Sequence, residues 1–231
     1  MLFSDKIGKI LKNSLPAPFT IAVILTFLTI LIAFFISTDS YNSKNFFEIL
    51  SFWEKGLWDN SLMVFALQMM LMLVLGHSLA LSKPVSNIIS NITIYCNNTA
   101  NAAAIVTFTT LLVAFFNWGL GLIFGAIFAR KVGEHATKNN IPLNYPLVGA
   151  AGYSGLMIWH GGISGSAPIK IAENNHFLAE KIGTISQAET IFSTMNVTIS
   201  ISLLLLLPLF MFFLAKKTKS ELVNIIEIEK V

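Results

Sequence analysis

Long runs without one charged side chain decide what this chain can fold into. Phe19 to Ile36 is eighteen residues with no Asp, Glu, Lys or Arg. As a helix it extends roughly 27 Å, enough to cross the hydrocarbon core of a bilayer. Ser61–Leu81 is a second uncharged run, Ala102–Ala129 a third, and Tyr145 opens a fourth. Over the 231 residues 55% are hydrophobic and 12% charged, against about 25% charged in a soluble domain. The chain therefore reads as an all-α integral membrane protein whose first partner is the lipid bilayer. Its net charge of +3 is not a nucleic-acid signal, because the basic residues gather at segment ends, where they set topology. Cys96 is the one cysteine, which excludes an intrachain disulfide and a CxxC site. No metal and no cofactor is expected.

The run from Phe19 follows three lysines and two prolines and has no small-residue cleavage site after it. It reads as a first transmembrane helix and not a cleaved signal peptide. The bias toward Lys, Asn and Ile points to an AT-rich bacterial genome and a bacterial inner membrane, where the sequons at Asn91 and Asn97 stay unglycosylated. Loop 37–60 carries Asp39, Lys44, Glu48, Glu54, Lys55 and Asp59, with Trp53 and Trp58 as interfacial aromatics. The second span, near 61–81, contains Gln68, Gly76, His77 and Ser78, and Pro84 ends it. Apolar residues at 85, 88, 89 and 92 predict an amphipathic helix over 85–95, too short to cross and placed in the interface.

Residues 102–129 are interrupted by Asn117-Trp118-Gly119-Leu120-Gly121. They fit one kinked span or a re-entrant hairpin with its tip near mid-membrane. Lys6, Lys9 and Lys12 place the N-terminus in the cytoplasm, and Lys216, Lys217 and Lys219 do the same for the C-terminus. Both together need an even number of crossings. A hairpin supplies it, with four spans near 19–36, 61–81, 145–168 and 191–214, and keeps Lys83, Arg130, Lys131 and Lys138 inside. The hairpin is therefore favoured. Within the fourth run, Gly149, Gly152 and Gly155, with Ala150 and Ser154, offer small faces for close helix approach. Ser186-Gln187-Ala188-Glu189 reads as a capping box opening the last helix, with Pro208 a kink inside it. The first eighteen residues form a cytoplasmic segment, 19–215 the membrane domain, and 216–231 a charged tail expected to be mobile.

The chemistry sits in the two breaks. Trp159-His160-Gly161-Gly162-Ile163-Ser164-Gly165-Ser166-Ala167-Pro168 interrupts an apolar run where every backbone N–H and C=O needs a partner. A broken helix leaves free N–H groups and a partial positive charge at the start of its next half. With the hydroxyls of Ser164 and Ser166, and glycines 161, 162 and 165, that suits a carboxylate without a fixed cation. The plainer reading is a tight turn at the membrane surface. At the other break Asn117 both donates and accepts, Gly119 and Gly121 let backbone approach a solute, and Trp118 and Trp159 wall an apolar tail. The plainer reading there is a hairpin turn capped by Asn117. His160 is a candidate proton carrier or a packing donor. Gln68 and His77 lie about 180° apart on a straight helix, and Gln68, at mid-span, needs a polar partner inside the protein. No HExxH, GxSxG or P-loop is present, and no Asp or Glu lies within a span, so the chain is not expected to be an enzyme.

These motifs resemble the short-chain fatty acid transporter family of bacterial acetoacetate and butyrate uptake proteins. The resemblance runs through Leu15-Pro16-Ala17-Pro18-Phe19, Gln68-Met69, Gly76-His77-Ser78-Leu79-Ala80 and Pro84-Val85. It continues in Asn117 to Leu122, Gly125-Ala126, Phe128-Ala129-Arg130 and Gly161 to Pro168. It implies secondary uptake of a short-chain monocarboxylate with a coupling proton or sodium ion. It also implies a fold of two inverted repeats with re-entrant hairpins, of which this chain holds one. Family members are about twice as long, so the opposing half comes from a second polypeptide, from sequence lost by truncation, or from a second copy in an oligomer. The implied ligand-holding residues are Asn117, Trp118, Gly119, Gly121, His160, Gly161, Gly162, Ser164, Gly165 and Ser166.

Overall fold

In this computed structural model the described residues are 16–36, 43–174, 176 and 178–225. The chain forms two compact units that divide between Leu67 and Gln68. Among the described residues four helices are long and apolar enough to cross a membrane: Pro18–Ile36, Leu62–Ala80, Thr99–Phe116 and Thr194–Lys216. With two strands of two residues each, the protein is all-α.

The first unit contains helix α1 (Pro18–Ile36), helix α2 (Ser43–Leu57) and the start of α3 (Asn60–Ala80). No α1 residue is buried. Two of its three hydroxyls are satisfied within the helix, Thr26 and Thr29 donating to the carbonyls of Ala22 and Leu25 at 2.9 and 2.8 Å. Helix α2 occupies much of what the charges of 37–60 mark as loop. Phe46, Ile49, Leu50, Trp53 and Leu57 recur at helical spacing, so the segment is amphipathic and not irregular. The Phe46 ring packs edge-on against Phe34 of α1, centroids 6.4 Å apart.

The second unit takes in the rest of α3 and continues with α4 (Lys83–Thr93), α5 (Thr99–Phe116) and α6 (Trp118–Lys138). It then runs through β1 (Pro142–Leu143), α7 (Tyr145–Tyr153), α8 (Ser166–Ile171), α9 (Ala179–Ile182), α10 (Thr194–Lys216) and β2 (Glu221–Leu222). Helix α4 begins at Lys83, two residues before the expected interfacial helix, because Pro84 suits a first turn. Helices α5 and α6 fold back on each other at Asn117. Asn98 caps α5 by accepting from the Asn101 N–H at 2.9 Å. At the far end of α6, Ile141 N–H reaches the Ala136 carbonyl at 2.9 Å, and Asn140 takes the left-handed φ of 52°. That is a Schellman exit with Asn in the usual glycine position.

The core lies where α5, α6, α7 and α10 meet, around Ala103, Val106, Phe128, Val132, Val148 and Met211. Gly125 of α6 and Gly152 of α7 mark the closest approach, each lying against the other's carbonyl oxygen. Cys96 is fully buried, and burial pushes its thiol up to about 12, so it is an inert core residue.

The segment 145–168, read as a span broken near its end, breaks well before that end. The α-helix stops at Tyr153, tightens into 3₁₀ turns over Ser154–Met157 and Trp159–Gly161, and resumes only as the six-residue α8. Five glycines between 149 and 162 lower helix propensity there, each by about 1 kcal/mol against alanine. The Ser186–Glu189 pair does form, Ser186 N–H and Oγ donating to Glu189 Oε2 at 3.1 and 2.9 Å. It closes a turn and does not open the last helix. Ser193 caps α10 instead, its Oγ accepting from Asn196 N–H at 3.2 Å, and α10 runs on through Pro208 to Lys216.

The tail expected to be mobile is docked as far as Ile225. Its β2 pairs antiparallel with β1, Leu222 opposite Pro142 and Glu221 opposite Leu143. Ser220 Oγ lies 2.7 Å from Thr99 Oγ1, at the start of α5. Thr137, near the end of α6, donates to the Val223 carbonyl at 3.0 Å and accepts from Ile225 N–H at 3.1 Å. The charges of the tail point to solvent exposure, but its backbone finds partners in distant segments. The calls on residues 1–15, on 37–42 with Asp39, and on 226–231 lie outside the described residues.

Beyond the apolar part of α6, Glu134 accepts from Arg130 Nε at 2.9 Å and from Lys131 Nζ at 2.7 Å. Burial alone would raise its carboxyl, but the hydrogen bonds and charges of Lys131 and Arg130 outweigh burial and hold it below the ordinary carboxylate value. The stabilisation is therefore present above that ordinary value and is lost as pH falls through the lowered folded one. The two cations are partly exposed, so about 1 kcal/mol or less is at stake. Melting curves of wild type and Glu134→Gln should separate at neutral pH and converge as pH falls below the ordinary carboxylate range. A gap that does not change with pH would contradict this account.

Candidate functional site

Asn117 ends α5 and begins α6 in extended backbone, φ −148° and ψ 115°. Its own N–H donates to the Val113 carbonyl at 3.0 Å, and its carbonyl accepts from Gly121 N–H at 2.9 Å. Its side-chain Oδ1 accepts from Leu120 N–H at 2.9 Å, leaving the Nδ2 amide as a donor without a partner among the described residues. One side chain thus closes one helix and caps the next, which is why the chain turns here so tightly.

The broken segment lies against this turn. Trp118 N–H donates to Ser164 Oγ at 2.9 Å. Ile163 N–H donates to the carbonyl of Phe115, in the last turn of α5, at 2.7 Å. Two backbone groups that helix ends leave orphaned are therefore satisfied by the other motif. The Trp118 and Trp159 rings meet edge-to-face with centroids 4.9 Å apart, and His160 stands edge-on to Trp159 at 5.0 Å. Gly162 is extended, φ −82° and ψ 170°, and a Cβ there would lie 2.5 Å from the Phe115 carbonyl oxygen. Gly165 N–H closes the turn onto the Gly162 carbonyl at 2.9 Å.

Of the sequence-predicted residues, Asn117, Trp118, Trp159 and Gly161 to Gly165 fall in this one contact. Gly119 packs under Met72 of α3, and Gly121 against Ala114 of α5, so both serve helix packing at the turn. His160 and Ser166 are exposed, and Ser166 opens α8 with no side-chain hydrogen bond among the described residues. Asn196 was missed. Its Nδ2 donates to the Gly161 carbonyl at 2.8 Å and to the Ile191 carbonyl at 2.7 Å, pinning the broken segment to the start of α10. An Asn near the head of an otherwise apolar helix was the available signal.

The donors left at this junction are neutral. Trp118, Leu120 and Gly121 N–H are bonded as described, so among the described residues the N–H of Gly119, buried beside Met72, is the one unbonded at the start of α6. Beside it stand the Asn117 amide and the Ser164 hydroxyl proton, near the positive end of a 21-residue helix. Lys170 is occupied with Glu173 at 2.7 Å. Such a set can hold an anion by dipoles and hydrogen bonds, with two indoles beside it for an apolar tail. Among the described residues no three His, Cys, Asp or Glu are grouped to hold a metal ion.

The family model described as "Short chain fatty acid transporter" matches residues 2–230. Two curated relatives each carry the name "Putative short-chain fatty acid transporter". That of Escherichia coli (strain K12) is 33% identical over 194 residues, covering 84% of this chain and 42% of the relative. That of Haemophilus influenzae is 32% identical over 210 residues, covering 88% and 44%. This chain therefore spans less than half the length of either. No solved structure matches.

Proposed function

This chain belongs to the short-chain fatty acid transporter family, and we propose that it forms one side of a membrane path for small monocarboxylates such as butyrate or acetoacetate. The observation that carries the reading is the pair of bonds joining the two breaks, Trp118 N–H to Ser164 and Ile163 N–H to Phe115. They gather neutral donors and two indoles at one point of an apolar, multi-pass fold. In this reading α5 and α6 form a re-entrant hairpin, and both termini lie on the cytoplasmic side of a bacterial inner membrane. The carboxylate is held by Asn117, the Gly119 N–H, Ser164 and Ser166, with Trp118 and Trp159 along its tail. Transport is driven by a proton or sodium gradient, and His160, exposed beside Trp159, is the candidate for proton coupling.

A second reading rests on coverage of under half of each relative. Here the chain is a membrane subunit that works only with a partner supplying the opposing half. Uptake of labelled butyrate or acetoacetate into proteoliposomes holding this chain alone, with proton and sodium gradients tested separately, decides between them. Gradient-driven uptake supports the first reading and names the ion. No uptake from folded protein supports the second, and a neighbouring reading frame becomes the place to look. In whichever assembly transports, Ser164→Ala with Ser166→Ala is expected to weaken uptake roughly tenfold or more. The change removes a donor to the carboxylate and leaves Trp118 N–H unpaired. Unchanged uptake would remove these serines from the site.

A further inference from the structure

Among the described residues, Gln68 is a polar group that neither the packing nor the two breaks account for. It lies seven residues into the candidate span Leu62–Ala80, is exposed, and has no hydrogen-bond partner among the described residues. A carboxamide left so in hydrocarbon costs several kcal/mol, so something polar must meet it.

The helical register shows where. Along α3, Gly76 packs against Leu120 and Ile123, with a Cβ there 3.5 Å from each, and Met72 packs against Gly119. Moving toward the start of α3 thus moves toward the start of α6. Gln68 is one step of four before Met72, about 40° round the helix from it, while half-buried Met69 continues the line of Gly76. One turn beyond Met72 the face passes the start of α6 and stands at the level of Asn117. Gly76 and Ala80 are buried, whereas Gln68, beside Met72 at its edge of the contact, is exposed.

We propose that Gln68 is a further ligand-contacting residue, its carboxamide N–H donating to a carboxylate held at the Asn117–Ser164 junction. This rests on the carboxylate reading above. A neutral donor suits that role: it holds the anion without the desolvation cost that a buried lysine would add.

The test uses the purified chain in lipid nanodiscs, titrated with butyrate and with uncharged butyramide by tryptophan emission. Gln68→Leu removes the donor, and Gln68→Glu keeps the shape while adding a repelling charge. Wild type should bind butyrate. Gln68→Leu should bind it roughly tenfold more weakly or worse, and Gln68→Glu more weakly still while keeping butyramide. That charge-selective loss is a readout a packing role would not move. If Gln68→Leu fails to fold, the isosteric Glu variant carries the test. Equal butyrate affinity in wild type and variants overturns the role of Gln68 and leaves the carboxylate reading standing. No butyrate binding by folded wild type overturns both. A change of oligomeric mass with affinity unchanged would show that Gln68 faces another protein surface, and overturns the proposal.

Discussion

Gly125→Ala is expected to cost about 3 kcal/mol or more, above the usual range for one added methylene. The added methyl lands on the carbonyl oxygen of Gly152, with the Thr110 Cγ2 methyl 2.8 Å away on the other side. Neither neighbour can yield cheaply, since one is backbone and the other sits in a fully buried side chain. Relief requires α6 and α7 to move apart, and close approach of small residues is what holds such helices together. Thermal unfolding in detergent, followed by loss of the monodisperse peak, measures the effect. Gly149→Ala is the internal control, because nothing lies within 4 Å of a Cβ there. If both variants melt alike, the Gly125–Gly152 contact is not the constraint it is argued to be.

Gly162→Ala is expected to abolish ligand binding and uptake while leaving most of the stability in place. Its methyl would stand 2.5 Å from the Phe115 carbonyl oxygen, the atom that accepts from Ile163 N–H. The broken segment must then lift from the end of α5, and Ser164 withdraws from Trp118. The core around Phe128 and Val148 is remote from this junction and keeps its packing, so the stability loss should stay near 1–2 kcal/mol. Lifting also separates Trp159 from Trp118, so emission should report the change without ligand. Folded Gly162→Ala protein with normal uptake would detach the junction from function. Gly161→Ala should be milder, because its methyl meets the end of the Asn196 side chain and not backbone.

The features that local chemistry determines were legible in the sequence. Asn117 ahead of Trp-Gly marks a helix boundary because its side chain can cap the next turn. The run Gly161 to Pro168 marks an end to regular helix because glycine and proline disfavour it. What escaped depends on partners far along the chain. Helix α7 ends at Tyr153 under the combined weight of scattered glycines, with no single stop signal. Asn196 gains its role only because Gly161, thirty-five positions earlier, is brought to it. The Ser186–Glu189 pattern was genuine as a local contact and wrong as a helix start, since Ser193 offers α10 a cap nearer its apolar run. The tail misled most, because its lysines describe solvated side chains while its backbone pairs with β1 and Thr137.

That docked tail has a mechanical meaning. One segment grips Thr99, where the first leg of the hairpin begins, and Thr137, where the second leg finishes. Legs tied at the base cannot scissor apart. Any displacement of the Asn117 turn must therefore swing both legs together, like a lever clamped at its foot, and pull on the broken segment and the start of α10 through the bonds at Ser164 and Asn196.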